Sequence, residues 1–282
     1  MQRRKFIAAM GAALAIPASQ AKVANIEFGV CGDAAHFDAA VRYGFDYYEM
    51  EVAEIALMDN PKFAALKDKV LASPIRCMAF RSFIRRLVLV GETVAAHQAE
   101  IKDYLEQNLD RCQQLGGRVV VWGSSGSRNV PDGFSRDRAW QQIQEFLHLA
   151  GDIARKNNLI MAIEPLRKKE SNIINSAGEA LKLVREVNHP NVKMIVDYFH
   201  LREENEDPNI IRTAQKEIAH LHFANPTGRR WPHDASEDSV YPRFFALIKE
   251  IGYRGGLSIE GTGTFEDDAE ASLKFFRQML TA

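Results

Sequence analysis

The sequence predicts an α/β protein that folds as a single (β/α)8 barrel. Eight short apolar segments alternate with segments whose apolar residues recur at helical spacing. The loops that follow the strands are long, whereas those that precede them are short and often contain glycine. The chain has 282 residues, a length that one barrel domain commonly reaches. We therefore expect one domain with its active site at the C-terminal ends of the strands.

Strands and helices can be assigned in order along the chain. A short apolar run predicts a strand, and apolar residues three to four positions apart predict a helix. Gly44 and Gly116 follow predicted helices, as helix-terminating glycines do, and Pro61 suits a first helical turn. The predicted strands are 26–32, 45–51, 75–80, 118–122, 159–164, 192–197, 218–223 and 256–260. The predicted helices are 33–43, 60–72, 93–115, 137–157, 176–187, 208–215, 243–251 and 267–280.

The second predicted strand places polar groups on one face. Tyr47, Glu49 and Glu51 share that face because side chains alternate along a strand. Two interpretations of the glutamates remain open at this point. Either Glu49 or Glu51 reaches the active-site pocket, or both glutamates form structural ion pairs.

Polar side chains end the last four predicted strands. Glu164, Asp197, His222 and Glu260 each close an apolar run. They are spaced by roughly 30 residues, which is the length of one strand–helix–strand unit. Because parallel strands end at one edge of a barrel, these side chains would converge. Three carboxylates and one imidazole suit a single divalent metal ion. The alternative is four separate structural groups, for example Asp197 as a helix cap.

The composition indicates a globular protein without a general attraction for nucleic acid. Hydrophobic residues make up 46% of the chain and charged residues 26%, which allows a substantial core. The formal net charge is −1, so the surface as a whole does not attract a phosphate backbone. Cys31, Cys77 and Cys112 form no C-x-x-C pair. We expect buried free thiols, with one disulfide as the alternative for an exported protein.

Residues 1–21 have the pattern of an export signal. Arg3, Arg4 and Lys5 precede an apolar run that ends in small residues, where we expect cleavage. The arginine pair resembles a twin-arginine signal, although its neighbours leave the Sec route open. An uncleaved anchor is the alternative, but the run is short and rich in alanine. The prediction is export to a bacterial periplasm, followed by a barrel domain of residues 22–282.

Four sequence motifs resemble those of the xylose isomerase-like TIM barrels. They are IEPLRKKE, VDYFHLREE, AHLHFAN and GGLSIEG, and they carry the four strand-end residues described above. The segment GSSGSRNVPDGFS, after the fourth strand, is also similar. Within the family, the motifs most resemble the branch of ketose 3-epimerases and hydroxypyruvate isomerases.

The resemblance implies a role for each of these residues. One divalent ion would be held by Glu164, Asp197, His222 and Glu260. Mn²⁺ is the expected ion, with Mg²⁺, Co²⁺ or Zn²⁺ as alternatives. Glu164 and Glu260 would also be the catalytic pair, facing opposite sides of the reacting carbon. The implied substrate-binding residues are Glu170, His200 and Arg230, with Arg229 as the alternative to Arg230.

The implied function is that of a divalent-metal-dependent sugar isomerase or epimerase (EC 5). One carboxylate would take the proton beside a carbonyl and another would return it, through a metal-stabilised ene-diolate. A dehydratase or lyase acting on a keto-sugar or an inosose-type substrate (EC 4) is the first alternative. A non-catalytic sugar-binding barrel and a nuclease of the endonuclease IV type are further alternatives.

The expected partner is a small sugar or keto-sugar, and not nucleic acid. No segment after the signal is apolar and long enough to span a membrane. A homo-oligomer is compatible with the sequence. We expect three loops to determine specificity: 81–91, 123–133 and 224–241.

Overall fold

The computed structural model describes residues 26–281 of the chain. The predicted export signal, residues 1–21, lies outside this range, so export stays a prediction. Within the described part, no helix has both the length and the apolar character needed to cross a membrane. The three cysteines are free thiols, and Cys77 and Cys112 are buried as expected, whereas Cys31 is only half-buried.

Eight parallel strands close into a barrel in which each strand pairs with the next one in sequence. The last strand pairs with the first, so the predicted (β/α)8 architecture is confirmed. The strands are β1 (Glu27–Gly32), β2 (Tyr47–Glu51), β3 (Ala79–Arg81), β4 (Val119–Trp122), β5 (Ile160–Ile163), β6 (Val192–Asp197), β7 (Ile218–Phe223) and β8 (Gly256–Ile259).

Helices surround the barrel, and the main hydrophobic core lies between them and the outer face of the sheet. The α-helices in the described residues are α1 (Phe37–Tyr43), α2 (Val52–Ile55), α3 (Asn60–Ala72), α4 (Gln98–Gln114), α5 (Ser125–Arg128), α6 (Arg136–Lys156), α7 (Ala177–Val187), α8 (Tyr198–Glu203), α9 (Ile210–Ala214), α10 (Tyr241–Glu250) and α11 (Phe265–Thr281).

Helices α6 and α7 begin where the sequence provides a capping serine. The side chain of Ser135 accepts a hydrogen bond from the Arg138 N–H at the start of α6, and Ser176 does the same for Glu179 in α7. Each bond satisfies one of the N–H groups that a helix start leaves free. At the end of α1, Gly44 has a φ of 79°, a conformation that side chains with a Cβ rarely adopt.

A small apolar cluster fills the interior of the barrel and leads up to the polar strand ends. Val121, Ala162 and Ile195 belong to this cluster. Side chains alternate along a strand, so the residues two positions later face the interior as well. On β5 and β6 these residues are Glu164 and Asp197. The strand pleat thus brings both carboxylates to the interior at the C-terminal end.

Helix α2 is absent from the sequence-based assignment, and three further differences concern helices α5 and α8 and strand β3. Helix α8 follows β6 directly, because one oxygen of Asp197 accepts hydrogen bonds from the N–H groups of Phe199 and His200. Strand β3 begins four residues later than predicted, at Ala79. The loop after β4 contains α5, whose Arg128 is fully buried. All three differences lie in segments too short for periodicity to identify.

Candidate active site

The four strand-end side chains converge, as predicted. Glu164, Asp197, His222 and Glu260 each offer a ligand atom, and these atoms lie within 4.8 Å of one another. The Nδ1 atom of His222 is 3.0 Å from a carboxylate oxygen of Glu164 and 3.3 Å from one of Glu260. In the sheet, Asp197 pairs in register with His222. Four residues that are far apart in sequence therefore form one compact group of acidic and imidazole ligands.

A buried hydrogen-bond network holds His222 from the opposite side. Its Nε2 atom lies 2.9 Å from Glu49, whose other oxygen is 2.8 Å from Nε2 of His220. Ser258 donates a 2.6 Å hydrogen bond to the same oxygen of Glu49, and the hydroxyl of Tyr47 lies 2.7 Å from Ser258. A proton on Nε2 of His222 would satisfy Glu49 and leave the Nδ1 lone pair free. Metal-binding histidines commonly have this arrangement.

The donor set fits a divalent cation. Asp197 uses one oxygen to cap α8, and its other oxygen, Oδ2, is buried without a hydrogen-bond partner among residues 26–281. Arg229 and His200 lie 3.7 Å and 3.6 Å from this oxygen, beyond hydrogen-bond distance, and a buried carboxylate oxygen without a hydrogen bond is unfavourable. Asp197 belongs to the same four-residue group as Glu164, His222 and Glu260. Hard oxygen ligands with one imidazole suit ions such as Mn²⁺ or Mg²⁺.

The two glutamates of the group differ in electrostatic environment. Burial raises the pKa of Glu164, and the neighbouring charge of Glu260 adds to this effect. Burial also disfavours ionisation of Glu260, but His222, Arg229 and Arg81 outweigh it and hold its pKa well below the usual range. Arg229 approaches Glu260 to 2.6 Å, and Arg81 approaches its other oxygen to 3.3 Å. Glu260 is therefore held in the ionised form.

A cavity of about 290 Å³, which we call the metal-side cavity, adjoins this group. Glu164 and Glu260 line it, and so do the predicted substrate-binding residues Glu170 and His200. The Nδ1 atom of His200 accepts a hydrogen bond from the Arg167 N–H, and its buried Nε2 has no hydrogen-bond partner within the described chain, although Oδ2 of Asp197 lies 3.6 Å away. The remaining lining residues are Arg81, Ser82, Ile84, Arg85, Gly123, Ser124, Ser125, Gly126, Leu166 and Arg229.

The structure places Arg229, and not Arg230, at this cavity. The backbone of Arg230 bridges to Asn225 and Thr262, and its side chain is exposed and donates to the Thr227 carbonyl. Arg229 instead points inward and contacts Glu260. Arg229, the alternative that the sequence left beside Arg230, is therefore the arginine at the cavity, and substrate binding by either residue stays a prediction. The sequence alone could not decide which of the two arginines reaches the cavity, because both lie in one irregular loop.

Three further residues support the site and were not singled out from the sequence. Arg128 donates hydrogen bonds to the carbonyls of Trp122 and Glu164, which joins the ends of β4 and β5. Arg81 pairs with Glu51 at 2.9 Å as well as with Glu260. Cys31 lies near Glu49 and His222. Arg81 and Cys31 could have been identified as site residues from the sequence because each lies at the end of a strand.

Sugar epimerases and isomerases are among the known proteins that are similar to this chain in sequence and structure. L-ribulose 3-epimerase of Methylomonas sp. (strain DH-1) is 26% identical over 239 residues, covering 83% of this chain and 80% of that protein. The 2-oxo-tetronate isomerase of Haemophilus influenzae is 29% identical over 232 residues, covering 79% of this chain and 85% of that protein. A crystal structure of D-psicose 3-epimerase in the presence of D-fructose superposes with a TM-score of 0.81 at 18% identity, covering 91% of this chain and 100% of that one.

The family assignment rests on most of the chain. Residues 37–279 match the family described as Xylose isomerase-like TIM barrel. The matched range contains all four residues of the strand-end group. It also contains the motifs whose resemblance was noted in the sequence. The protein is therefore a member of the xylose isomerase-like TIM barrel family, with ketose 3-epimerases and a 2-oxo-tetronate isomerase among its relatives.

Proposed function

We propose that the protein is a divalent-metal-dependent sugar isomerase or epimerase that removes a proton from the carbon next to a carbonyl. One observation carries the proposal. Glu164 and Glu260 both line the metal-side cavity, and both lie beside Nδ1 of His222. Two carboxylates at one cavity supply a group that takes a proton and a second that returns it.

Four residues would hold the ion: Glu164, Asp197, His222 and Glu260. A divalent ion there, which we propose to be Mn²⁺, would supply positive charge against the negative charge that develops on the substrate oxygens. The relatives are sugar epimerases and isomerases, which supports this assignment. The Oδ2 atom of Asp197, which has no hydrogen-bond partner among the described residues, supports the proposed metal site independently.

The remaining polar groups of the cavity would orient the sugar. Arg229 and Glu170 approach each other to 3.8 Å at one side of the cavity, where they can bind hydroxyl groups. His200 offers its unpartnered Nε2. Correct placement of the reacting carbon between two fixed carboxylates accounts for much of the rate that such a site can provide. Return of the proton to the same carbon from the other side gives an epimer, and return to the adjacent carbon gives an isomer.

Deuterium exchange tests the proposal directly. The Mn²⁺-loaded protein is incubated in D₂O with a panel of ketoses and 3-keto-sugars, and carbon-bound deuterium is followed by NMR. We expect exchange in the wild type and its loss in Glu164→Gln and Glu260→Gln. The matched control is Glu27→Gln, because Glu27 starts β1 at the other end of the barrel and pairs with Arg118.

The products decide between reaction classes. An epimer or an aldose–ketose isomer supports the proposal. Loss of water or of a leaving group would assign the site to a dehydratase or lyase instead. If metal binds and no substrate exchanges, the proposed chemistry is wrong.

We also propose that the protein is exported, on the basis of residues 1–21 alone. N-terminal sequencing of the protein recovered from the periplasm of a producing bacterium tests this. A mature N-terminus near residue 22 supports export, and an intact N-terminus on protein confined to the cytoplasm contradicts it.

A further inference from the structure

A second cavity opens beside the metal-side cavity at the same end of the barrel. Its volume is about 550 Å³, compared with about 290 Å³ for the metal-side cavity. We call it the outer cavity. It is reached from the ends of β1, β2 and β8, and Gly261, which follows Glu260, lines it. Pockets for small ligands typically measure about 300–1,000 Å³, so the metal-side cavity by itself is at the lower limit.

The two cavities share a wall made of side chains. Arg81 and Arg85 line both of them. Glu51 joins the two arginines, at 2.9 Å from Arg81 and 2.6 Å from Arg85. The side chain of Arg85 is 60% exposed, so it can move without disturbing the core. The cavities are therefore two parts of one cleft, and Glu260 lies near the point where they meet.

The outer cavity is polar, but its charges are already balanced. His36 pairs with Asp33 at 2.7 Å, and Glu266 pairs with Arg42 at 3.2 Å. With Glu51 bound to the two shared arginines, each of these three carboxylates already has a basic side chain beside it. A phosphate or carboxylate would have to displace one of these pairs. Hydroxyl groups, in contrast, can bind to paired carboxylates and imidazoles through their remaining donors and acceptors.

An aromatic wall completes the outer cavity. Phe265 packs against Trp231 with ring centroids 5.4 Å apart, and His36 stacks on Phe265 at 6.1 Å. All three residues line the cavity. Apolar and aromatic walls with a few oriented polar groups are characteristic of sites for small organic molecules. A neutral ring with hydroxyls at its edge and C–H groups on its face matches this lining.

We propose that the outer cavity is a subsite for a second, uncharged sugar ring, so that the preferred substrate is a keto-glycoside or keto-disaccharide. The ring that carries the carbonyl lies in the metal-side cavity, and the ring attached to it lies against His36 and Phe265. This inference rests on the proposed function, because it places the reacting ring beside Glu164 and Glu260. It adds the substrate class, which neither the metal ligands nor the fold determine.

Matched substrates test the inference. Deuterium exchange in D₂O is measured with the Mn²⁺-loaded protein for D-fructose against isomaltulose, and for methyl 3-keto-glucoside against 3-keto-maltose. Isomaltulose adds a glucosyl ring to fructose, and in 3-keto-maltose a glucose unit replaces the methyl group of the methyl glycoside. We expect kcat/KM to be at least about tenfold higher for the two-ring member of one pair, mainly through a lower KM. Isothermal titration of the same sugars checks the difference without relying on turnover.

Filling the outer cavity should remove this preference. His36→Trp adds bulk at an exposed position on its rim, and Glu266→Trp does so at a second exposed position. We expect either variant to reduce the two-ring to one-ring ratio of kcat/KM to about one. His97→Trp is the matched control, because His97 is an exposed histidine that lines neither cavity, and its ratio should equal that of the wild type.

The outcomes separate the two proposals. Equal kcat/KM for both members of each pair, unchanged by His36→Trp and Glu266→Trp, overturns the subsite and leaves the proposed function standing. A two-ring preference that survives both variants also overturns the outer cavity as its location. No exchange with any of the four sugars, with Mn²⁺ bound, overturns the proposed chemistry and the subsite with it.

Discussion

Glu49 and His222 form a fully buried pair in which Nε2 of the imidazole lies 2.9 Å from the carboxylate. The other ring nitrogen of His222 faces Glu164 and Glu260. Burial by itself would raise the pKa of Glu49, but the charges of His222 and His220 outweigh burial and lower it. Glu49 thus stays ionised inside the barrel. The pair fixes the ring orientation that presents Nδ1 to the ligand group.

Replacing Glu49 should weaken metal binding although Glu49 is not itself a ligand in the strand-end group. We expect Glu49→Gln to reduce the affinity for Mn²⁺ by about 10–100-fold, the range found when such supporting groups are changed. The reason is that glutamine has only one acceptor oxygen, and that oxygen is uncharged, whereas both oxygens of Glu49 accept, one from His222 and one from Ser258 and His220. Isothermal titration of Mn²⁺ into metal-free protein measures the effect, with circular dichroism to show that the variant is folded. Glu27→Gln, at the other end of the barrel, should bind as the wild type does. An unchanged affinity in folded Glu49→Gln would show that His222 is positioned by the sheet alone.

Arg229→Ala and Arg230→Ala should behave differently despite being neighbours. Arg229 contacts Glu260 and lines the metal-side cavity, whereas the Arg230 side chain is exposed. We expect Arg229→Ala to raise KM by about tenfold or more, as the loss of a charge-assisted hydrogen bond to the substrate would do. Steady-state kinetics with the substrate found by deuterium exchange measures both variants. A larger effect in Arg230→Ala would restore the original sequence-based expectation.

A methyl group at Gly123 should displace Glu164. A Cβ added to Gly123 would overlap the carboxylate of Glu164, and both side chains would compete for the same buried space. We expect Gly123→Ala to reduce kcat/KM by about 100-fold, since small displacements of reacting groups have effects of this size. Gly178→Ala is the control, because its added Cβ meets only ordinary contacts, at 3.6 Å and 3.8 Å. Wild-type activity in Gly123→Ala would mean that the carboxylate of Glu164 need not occupy its observed position.

The ion pair of Asp238 with Arg202 should make stability depend on pH at acidic values. It links the loop that carries Arg229 to the helix that carries His200, with 2.7 Å between the charged groups. Burial opposes ionisation of Asp238, but the hydrogen bonds from Arg202 and from the Val240 N–H outweigh burial and lower its pKa. A lowered folded-state pKa contributes stability above the unfolded value of about 4, and this contribution is lost as the pH falls.

Urea unfolding of wild type and Asp238→Asn at pH 7 and pH 3.5 measures this contribution. At pH 7 we expect the variant to be less stable by about 1–3 kcal/mol, the usual value for a hydrogen bond to a charged group. At pH 3.5 the difference should shrink, because Asp238 of the unfolded chain takes up a proton there while the folded carboxylate, whose pKa is lowered, stays largely ionised. A difference that is the same at both pH values would mean that the charge of Asp238 contributes nothing.

The sequence by itself determined the barrel, its order of strands and the four converging residues. The physical reason is local. An apolar run with an acidic or imidazole group at its end is a property of adjacent residues, and parallel strands bring such ends together whatever the loops do. Glu164, Asp197, His222 and Glu260 could therefore be identified without coordinates. The pleat of β2 likewise placed Glu49 and Glu51 on one face.

Only the tertiary structure determined which contacts the side chains around the four strand-end residues make. The choice between Arg229 and Arg230 depends on how a loop without periodicity bridges to Thr262. The role of Glu49 depends on His220, His222 and Ser258, which lie more than 170 residues away in sequence. The outer cavity depends on the segments after β1, β3, β7 and β8 meeting over the barrel. Contacts of this kind are set by packing between distant segments, and neither propensity nor spacing along the chain contains that information.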